Sequence, residues 1–452
     1  MDIATIELLL SEHQVNKVKI GGFDIDGVLR GKYISKEKFL SALQDGFGFC
    51  DVIFGWDCGD NLYDRGKFTG WHTGYPDLQA QVDLATFRLL PWEPRTAFVL
   101  ADFSQRDGSP LPFCPRQTLK KMVSHAEAMG FTPKMAAEYE FFLFEESPDS
   151  LNEKGFRGLK PESPGMFCYS LLRVTARAEF VHLVMDAMAD IGIEIEGMHT
   201  ETGPGAFEVA IKYGDALAAA DKAGLFKLVV KELAAKKGLM ASFMAKWSAE
   251  MPGCGGHIHQ SLLHTASGKN AFSDPKGEYG CSEIGRHYLA GQQQVLPELM
   301  PLVCPTINSY KRLVPGFWAP TTATWGIENR TNSLRFIPGT SPKSTRIETR
   351  VVGADASPHL ALSACLAAGL HGIENQLQPT SPTIGNAYSD SSAPSLPRNL
   401  AAATDRMQHS QIARQWFGEE FVDHYTMTRE WECREFDKAV TDWELKRYFE
   451  II

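Results

Sequence analysis

The sequence predicts an α+β protein in two parts, a small and mostly β unit followed by a larger region in which strands and helices mix. Three observations predict it. Residues 15–105 hold short apolar segments (VNKVKIGGFDIDG, FRLLPW, TAFVLADF) cut apart by Gly, Asp and Pro clusters, the signature of strands joined by turns. A helical pattern, PRQTLKKMVSHAEAMG, then opens with Pro115 at its first turn and ends at Gly130, which sets a boundary near residue 112. Beyond it, strand patterns such as KMAAEYEFFLFE, GGHIHQSL and TRIETRVV lie among helical ones such as AEFVHLVMDAMADIG and ALAAADKAGLFKLVVKELAAKKG, a two-layer arrangement.

Each element has a local reason. At 452 residues the chain is too long for one compact core. The opening MDIATIELLLSEHQ places Asp2 and Glu7 where a signal peptide needs positive charge, so it reads as one amphipathic helix. No apolar run is long enough to cross a bilayer, and a cytoplasmic protein without a membrane partner is expected. Nine cysteines without CxxC pairs suggest neither a zinc knuckle nor a disulfide framework. The net charge of −10 argues against nucleic acid, which requires a basic face. The segment LQPTSPTIGNAYSDSSAPSLPRNL is rich in Pro, Ser and Gly and reads as a long irregular loop.

Chemistry enters through alternation. Residues two apart in a strand share a face, so AEYEFF sets Glu138 beside Glu140, GGHIHQ sets His257 beside His259, and TRIETR sets Arg346, Glu348 and Arg350 in one row. In HTETGPGAFEVAI, Glu201 and Glu208 flank a Gly-Pro-Gly turn that folds both acids toward one centre. Taken alone, the glutamate pair also fits a solvated strand face, a lone HxH is more often incidental than metal-binding, and TRIETR reads more readily as a surface ion-pair ladder. Taken together, five glutamates and one imidazole suit hard divalent cations better than structural zinc. Arg312, Arg330, Arg335, Arg346 and Arg350 fall within one short span, and guanidinium forks match carboxylates and phosphates. Divalent cations beside such arginines suit phosphoryl transfer to or from an acid. A metal-dependent oxygenase of the cupin kind also uses HxH with Glu, but leaves the arginines without a purpose.

The motifs EYEFFLFE, GHIHQSL, NSYKRLVPG, GIENR and RIETR, together with the tail GEEFVDHY…VTDWELKRYFE, resemble the glutamine synthetase family in order and spacing over nearly the whole chain. The resemblance implies a β-grasp-like N-terminal domain over 1–112 and, over 113–452, a catalytic domain with a curved antiparallel sheet flanked by helices. It implies two or three Mg²⁺ or Mn²⁺ ions per site, with Glu140, Glu201 and Glu208 on one and Glu138, His257 and Glu348 on another. By the same resemblance, ATP meets Glu196, Tyr213, His259, Ser261, Lys343 and Arg346. The acid substrate meets Arg312, Arg350 and Gly253, and Arg330 and Arg335 face the transferring phosphate. A dodecamer of two stacked hexamers is implied, with Asp57 contributed near a neighbouring subunit's amine site.

Three positions depart from the family pattern. Trp318 stands where ammonium-using members carry a Glu, Pro252 where Asn precedes the first His, and Ala206 where GPGQ is usual. Indole is no base at neutral pH, so the expected reaction is ATP-dependent joining of glutamate, or a related amino diacid, to an organic amine, with Trp318 as one wall of the amine pocket. Glutamine synthesis from ammonia is the second reading. A non-catalytic structural or regulatory descendant is the third, although such a descendant is expected to lose metal ligands or arginines, and all are present.

Overall fold

The computed structural model describes residues 2–390 and 393–452. The chain opens with helix α1 (Ile3–Glu12), capped by the Asp2 side chain on the Thr5 amide; it buries Ile6 and Leu10, one turn apart. Strands β1 (Lys17–Phe23), β2 (Leu29–Ser35), β3 (Phe47–Cys50), β4 (Asp77–Leu89) and β5 (Thr96–Ser104) follow, with helix α2 (Lys36–Asp45) between β2 and β3. They form one sheet in the order β2-β1-β5-β4-β3. Only the β1–β5 pair is parallel. Strand β5, wholly buried, is the centre of this sheet.

Helix α3 (Pro115–Ala128) leads into the second sheet, as the proline and glycine punctuation predicts. Its Arg116, 2% exposed, donates to Asp83 on β4 at 2.6 Å, Asp102 on β5 at 2.7 Å and Asp221 at 2.8 Å, and so ties the first sheet to the helix that carries Asp221. Asp221 lies on the long helix Ala216–Lys236 and also bonds His359 at 2.8 Å.

The second sheet contains β6 (Phe131–Phe144), β7 (Ile195–Thr200), β8 (Ala206–Ile211), β9 (Gly214–Asp215), β10 (Met240–Ser242), β11 (Gly256–His264), β12 (Trp325–Ile327), β13 (Leu334–Ile337) and β14 (Arg346–Thr349). Its main path runs β12-β13-β14-β11-β6-β8-β7, with β9 and β10 also paired to β6. The expectation of an antiparallel sheet holds except for β12–β13, which is parallel. Strand β6 is the spine: odd residues from Phe131 to Tyr139 are buried and even ones half-exposed, the clean alternation of a sheet with one face on the core. Helices Ala216–Lys236 and Pro358–Glu374 cover that core face. The other face carries the glutamates. The segment 377–400 is mostly irregular, as read, with one short 3₁₀ turn at Ala387–Ser389; its Ser391 and Ser392 lie outside the described residues. All nine cysteines are free, and among the described residues no helix is long and apolar enough to cross a membrane.

Candidate active site

Strand register brings the predicted residues together. Glu138 on β6 faces His257 on β11, Glu140 faces Glu208 on β8, His259 faces Glu348 on β14, and Glu348 faces Arg335 on β13. The same pleat puts His199 on β7 opposite Glu208. Directly opposed residues stand roughly 5 Å apart, so each pairing delivers two functional groups to one spot.

The contacts follow. His257 Nδ1 lies 3.1 Å from Glu138 Oε1 and 3.5 Å from Glu348 Oε1. Glu138, Glu208 and His257 offer ligand atoms within 4.8 Å of one another, as do Glu138, His259 and Glu348, and also His199, Glu201 and Glu208. Glu201 is steadied by the Thr202 amide at 2.7 Å and by the Cys168 thiol at 3.2 Å. Glu140 Oε2 accepts from the Gly255 amide at 2.6 Å. His199 was not read from the sequence. It precedes Glu201 by two residues in a strand, which is the spacing that would have revealed it, and its Nε2 lies 3.0 Å from Glu208 Oε1.

Burial and neighbouring charges shift these groups strongly. Burial raises the pKa of Glu140 against the charge of Arg312, and burial with neighbouring Glu138 and Glu140 raises that of Glu208 despite His199. Burial also works against ionisation of Glu138 and Glu348, but His257 and His259 hold Glu138 well down, and the Arg350 charge, with both histidines, holds Glu348 at about 2. Burial and Arg350 push His257 toward the neutral imidazole, the form that can give a lone pair to a metal. Oxygen donors with few imidazoles suit Mg²⁺ or Mn²⁺, and the donor set fits such ions.

Arginines border the carboxylates. Arg350 pairs with Glu348 and donates from Nε to the Arg330 carbonyl at 3.1 Å. Arg335 reaches Glu348 at 3.1 Å and pairs with Glu328, another residue missed in the sequence. Arg330 itself is exposed. Arg312, buried, donates to the carbonyls of Val351 and Arg350, both at 3.0 Å. Gly253 and Gly255 allow this approach: a Cβ on Gly253 would lie 2.2 Å from the Ala245 carbonyl oxygen and 2.9 Å from Arg312 Cγ, and one on Gly255 would lie 2.5 Å from His257 Nε2.

A cavity of about 490 Å³ opens beside the cluster, and Glu196, Tyr213, His259, Ser261, Lys343 and Arg346 all line it together with Glu138. Arg346 Nε stands 3.2 Å from His259 Nδ1. Two predicted residues stand apart. Trp318, at φ +58°, is 56% exposed. Asp57 is held within its own chain by Trp431 Nε1 at 2.9 Å and by the amides of Gly59 and Asn61; the neighbouring-subunit role that the resemblance gives it needs an assembly that a single chain does not form.

Comparison with known proteins gives the family and the fold. Residues 112–448 match the glutamine synthetase catalytic domain. Type-1 glutamine synthetase 2 of Dictyostelium discoideum is 49% identical over 99% of this chain and 86% of its own length. The glutamate–isopropylamine ligase of a Pseudomonas species is 41% identical over 100% and 98%, and the gamma-glutamylethanolamide synthetase of Streptomyces coelicolor 36% identical over 100% and 96%. Among solved structures, the ADP complex of GmaS superposes with a TM-score of 0.86 at 30% identity, covering 99% of both chains. With its catalytic region matched from end to end and relatives aligned along its full length, the chain belongs to the glutamine synthetase family.

Proposed function

We propose that the chain is an ATP-dependent carbon–nitrogen ligase that phosphorylates the γ-carboxylate of glutamate, or of a related amino diacid, and condenses the acyl phosphate with an organic amine to give a γ-glutamylamide. One observation carries the reading. Glu138 and His259 belong both to the lining of the 490 Å³ cavity and to the carboxylate cluster that reaches Arg335 and Arg350, so a nucleotide in the cavity points its phosphates at the arginines. Relatives whose names specify isopropylamine as a substrate and a γ-glutamylethanolamide as a product support an organic acceptor, as does Trp318 in place of the ammonium-binding glutamate.

Glu138, Glu140, Glu201, Glu208, His257 and Glu348 would hold two or three Mg²⁺ or Mn²⁺ ions, whose charge lets an anionic carboxylate approach a polyphosphate. The residues of the chain do the rest. Lys343, Arg346, Ser261 and His259 orient the nucleotide, with Tyr213 beside the base and Glu196 beside the ribose. Arg312 and Arg350 fix the two ends of the acid substrate, Gly253 allowing its approach, so that the γ-carboxylate oxygen meets the γ-phosphorus in line with the departing ADP oxygen. Arg330 and Arg335 stabilise charge on the moving phosphoryl group. The amine nitrogen then attacks the acyl carbon, phosphate leaves, and the amine proton passes to solvent or base. We further propose division at residue 112 and assembly into a cytoplasmic ring oligomer, in which Asp57 reaches the site of a neighbouring subunit; exposed Phe156, Phe167, Leu171, Leu172, Phe449 and Ile451 support self-association.

ADP release is to be measured over ammonium and a panel of mono-, di- and aromatic amines with glutamate. An organic amine is expected to give the highest kcat/KM. Ammonium in first place would return the enzyme to glutamine synthesis, and no turnover with any amine would favour a non-catalytic descendant.

A further inference from the structure

Lys246 is 6% exposed, and its Nζ is buried without a hydrogen-bond partner. An ammonium taken out of water without a counter-ion is costly, so its position calls for an explanation. The backbone holds it there firmly: the Lys246 amide donates to Asn308 Oδ1 at 2.7 Å, its carbonyl accepts from Asn308 Nδ2 at 2.8 Å, and the preceding carbonyl of Ala245 accepts from the Cys254 amide at 2.8 Å. Asn308 immediately precedes the short helix Ser309–Arg312 that carries Arg312. The side chain lies over the Phe317 ring, with Nζ 4.2 Å from its centroid. Burial lowers its pKa; the exposed Glu250 opposes this, and the Arg312 charge adds to it. Lys246 and Arg312 thus meet at the Gly253 turn, where a Cβ on Gly253 would lie 2.2 Å from the Ala245 carbonyl oxygen and 2.9 Å from Arg312 Cγ; among the described residues, Glu250 is the acid that opposes the shift of Lys246.

We infer that Lys246 is a substrate-binding residue which, with Arg312, forms a two-cation seat for the α-carboxylate of the acid substrate. The inference rests on the ligase reading for the identity of the acid. A carboxylate entering there meets one ammonium and one guanidinium, and supplies the hydrogen-bond acceptor that Nζ lacks in the free chain. Phe317 forms the floor that keeps water from replacing it.

The test compares wild type with Lys246→Met, similar in length but uncharged, and Lys246→Arg. Isothermal titration with L-glutamate in the presence of Mg-ADP gives acid affinity, titration with ADP alone gives nucleotide affinity, and thermal melting reports the fold. The Met variant is expected to bind glutamate at least ten-fold more weakly, with ADP affinity unchanged and Tm equal to wild type or higher because an unpaired charge has left the interior. The Arg variant is expected to recover part of the lost affinity. Unchanged glutamate affinity in Lys246→Met overturns the seat, as does a fall in Tm with parallel weakening of both ligands, which marks a structural lysine. Wild type that binds glutamate but turns over no amine would defeat the ligase reading while leaving the seat intact.

Discussion

Glu348 joins the arginines to the carboxylate cluster, and replacing it with Gln tests the electrostatic scheme most directly. The side chain is 1% exposed, pairs with Arg350, and stands 3.1 Å from Arg335 and 3.5 Å from His257. Its pKa is held at about 2 against a reference of 4.5, and a displacement of that size corresponds to roughly 3 kcal/mol. Removing one partner of a buried pair costs about 3–5 kcal/mol by a separate route, so the two magnitudes agree. The sign is that of a depressed carboxylate: in metal-free protein the stabilisation is complete above pH 4.5 and disappears as pH falls through about 2. Glu348→Gln, treated with chelator at pH 7, is therefore expected to melt several degrees below wild type in differential scanning fluorimetry. With Mg²⁺ and ATP, it is expected to lose roughly a hundred-fold or more of kcat/KM. A variant that melts with wild type and keeps near-normal turnover would refute both the ion-pair role and the metal role.

The other perturbations are read in the same way. Gly255→Ala places a Cβ 2.5 Å from His257 Nε2 and 3.0 Å from Arg312 Nη2; turnover is expected to fall on the order of a hundred-fold with little change in circular dichroism, and normal kinetics would show the glycine to be incidental. Arg116→Met leaves Asp83, Asp102 and Asp221 without their common partner, at a cost of about 3–5 kcal/mol; limited proteolysis near residue 112 is expected to speed up, and an unchanged cleavage rate would show that the first sheet is held otherwise. His424 is buried against Phe113, and burial, reinforced by Arg429, lowers its pKa to about 4 from 6.5. The unfolded chain binds this proton first, so stability is expected to fall as pH drops from 6.5 and to level off below about 4. His424→Phe should flatten that limb of a urea-denaturation profile, and an identical profile would remove His424 as its cause.

Much of the site was legible because strand periodicity is local. Glu138 with Glu140, His257 with His259, and Arg346 with Glu348 share faces by spacing alone, and each pair lies on a strand as read. Register between strands is not local. Nothing in the spelling of β6 says that Glu140 will face Glu208 and Glu138 will face His257; that follows from which strands become neighbours. The motif order supplied this information through resemblance rather than through physics. His199 was within reach of the same period-two argument, being two residues from Glu201. Glu328 and Lys246 were not, because they lie on segments without strand alternation, and their roles arise from partners more distant in the chain. Arg116 was hidden in a helical pattern, where a lone arginine reads as solvated.

The proposed reaction assigns its two halves to different parts of the molecule. The residues proposed to activate the carboxylate sit on strands β6, β8, β11, β13 and β14, whose ladders hold Glu138, Glu208, His257, Arg335 and Glu348 in fixed register. The proposed wall of the acceptor pocket, Trp318, lies outside the strands, at φ +58° with 56% of its surface exposed. A rigid sheet cannot shift one ligand without shifting its neighbours, whereas a loop residue can change without disturbing any ladder. Trp318→Glu is therefore expected to leave the KM for ATP within about two-fold while raising kcat/KM for ammonium relative to organic amines by about ten-fold, the scale of a 1.4 kcal/mol difference. If the substitution instead raises the KM for ATP and leaves the amine preference unchanged, the acceptor is selected elsewhere, and the loop acts on the nucleotide side of the site.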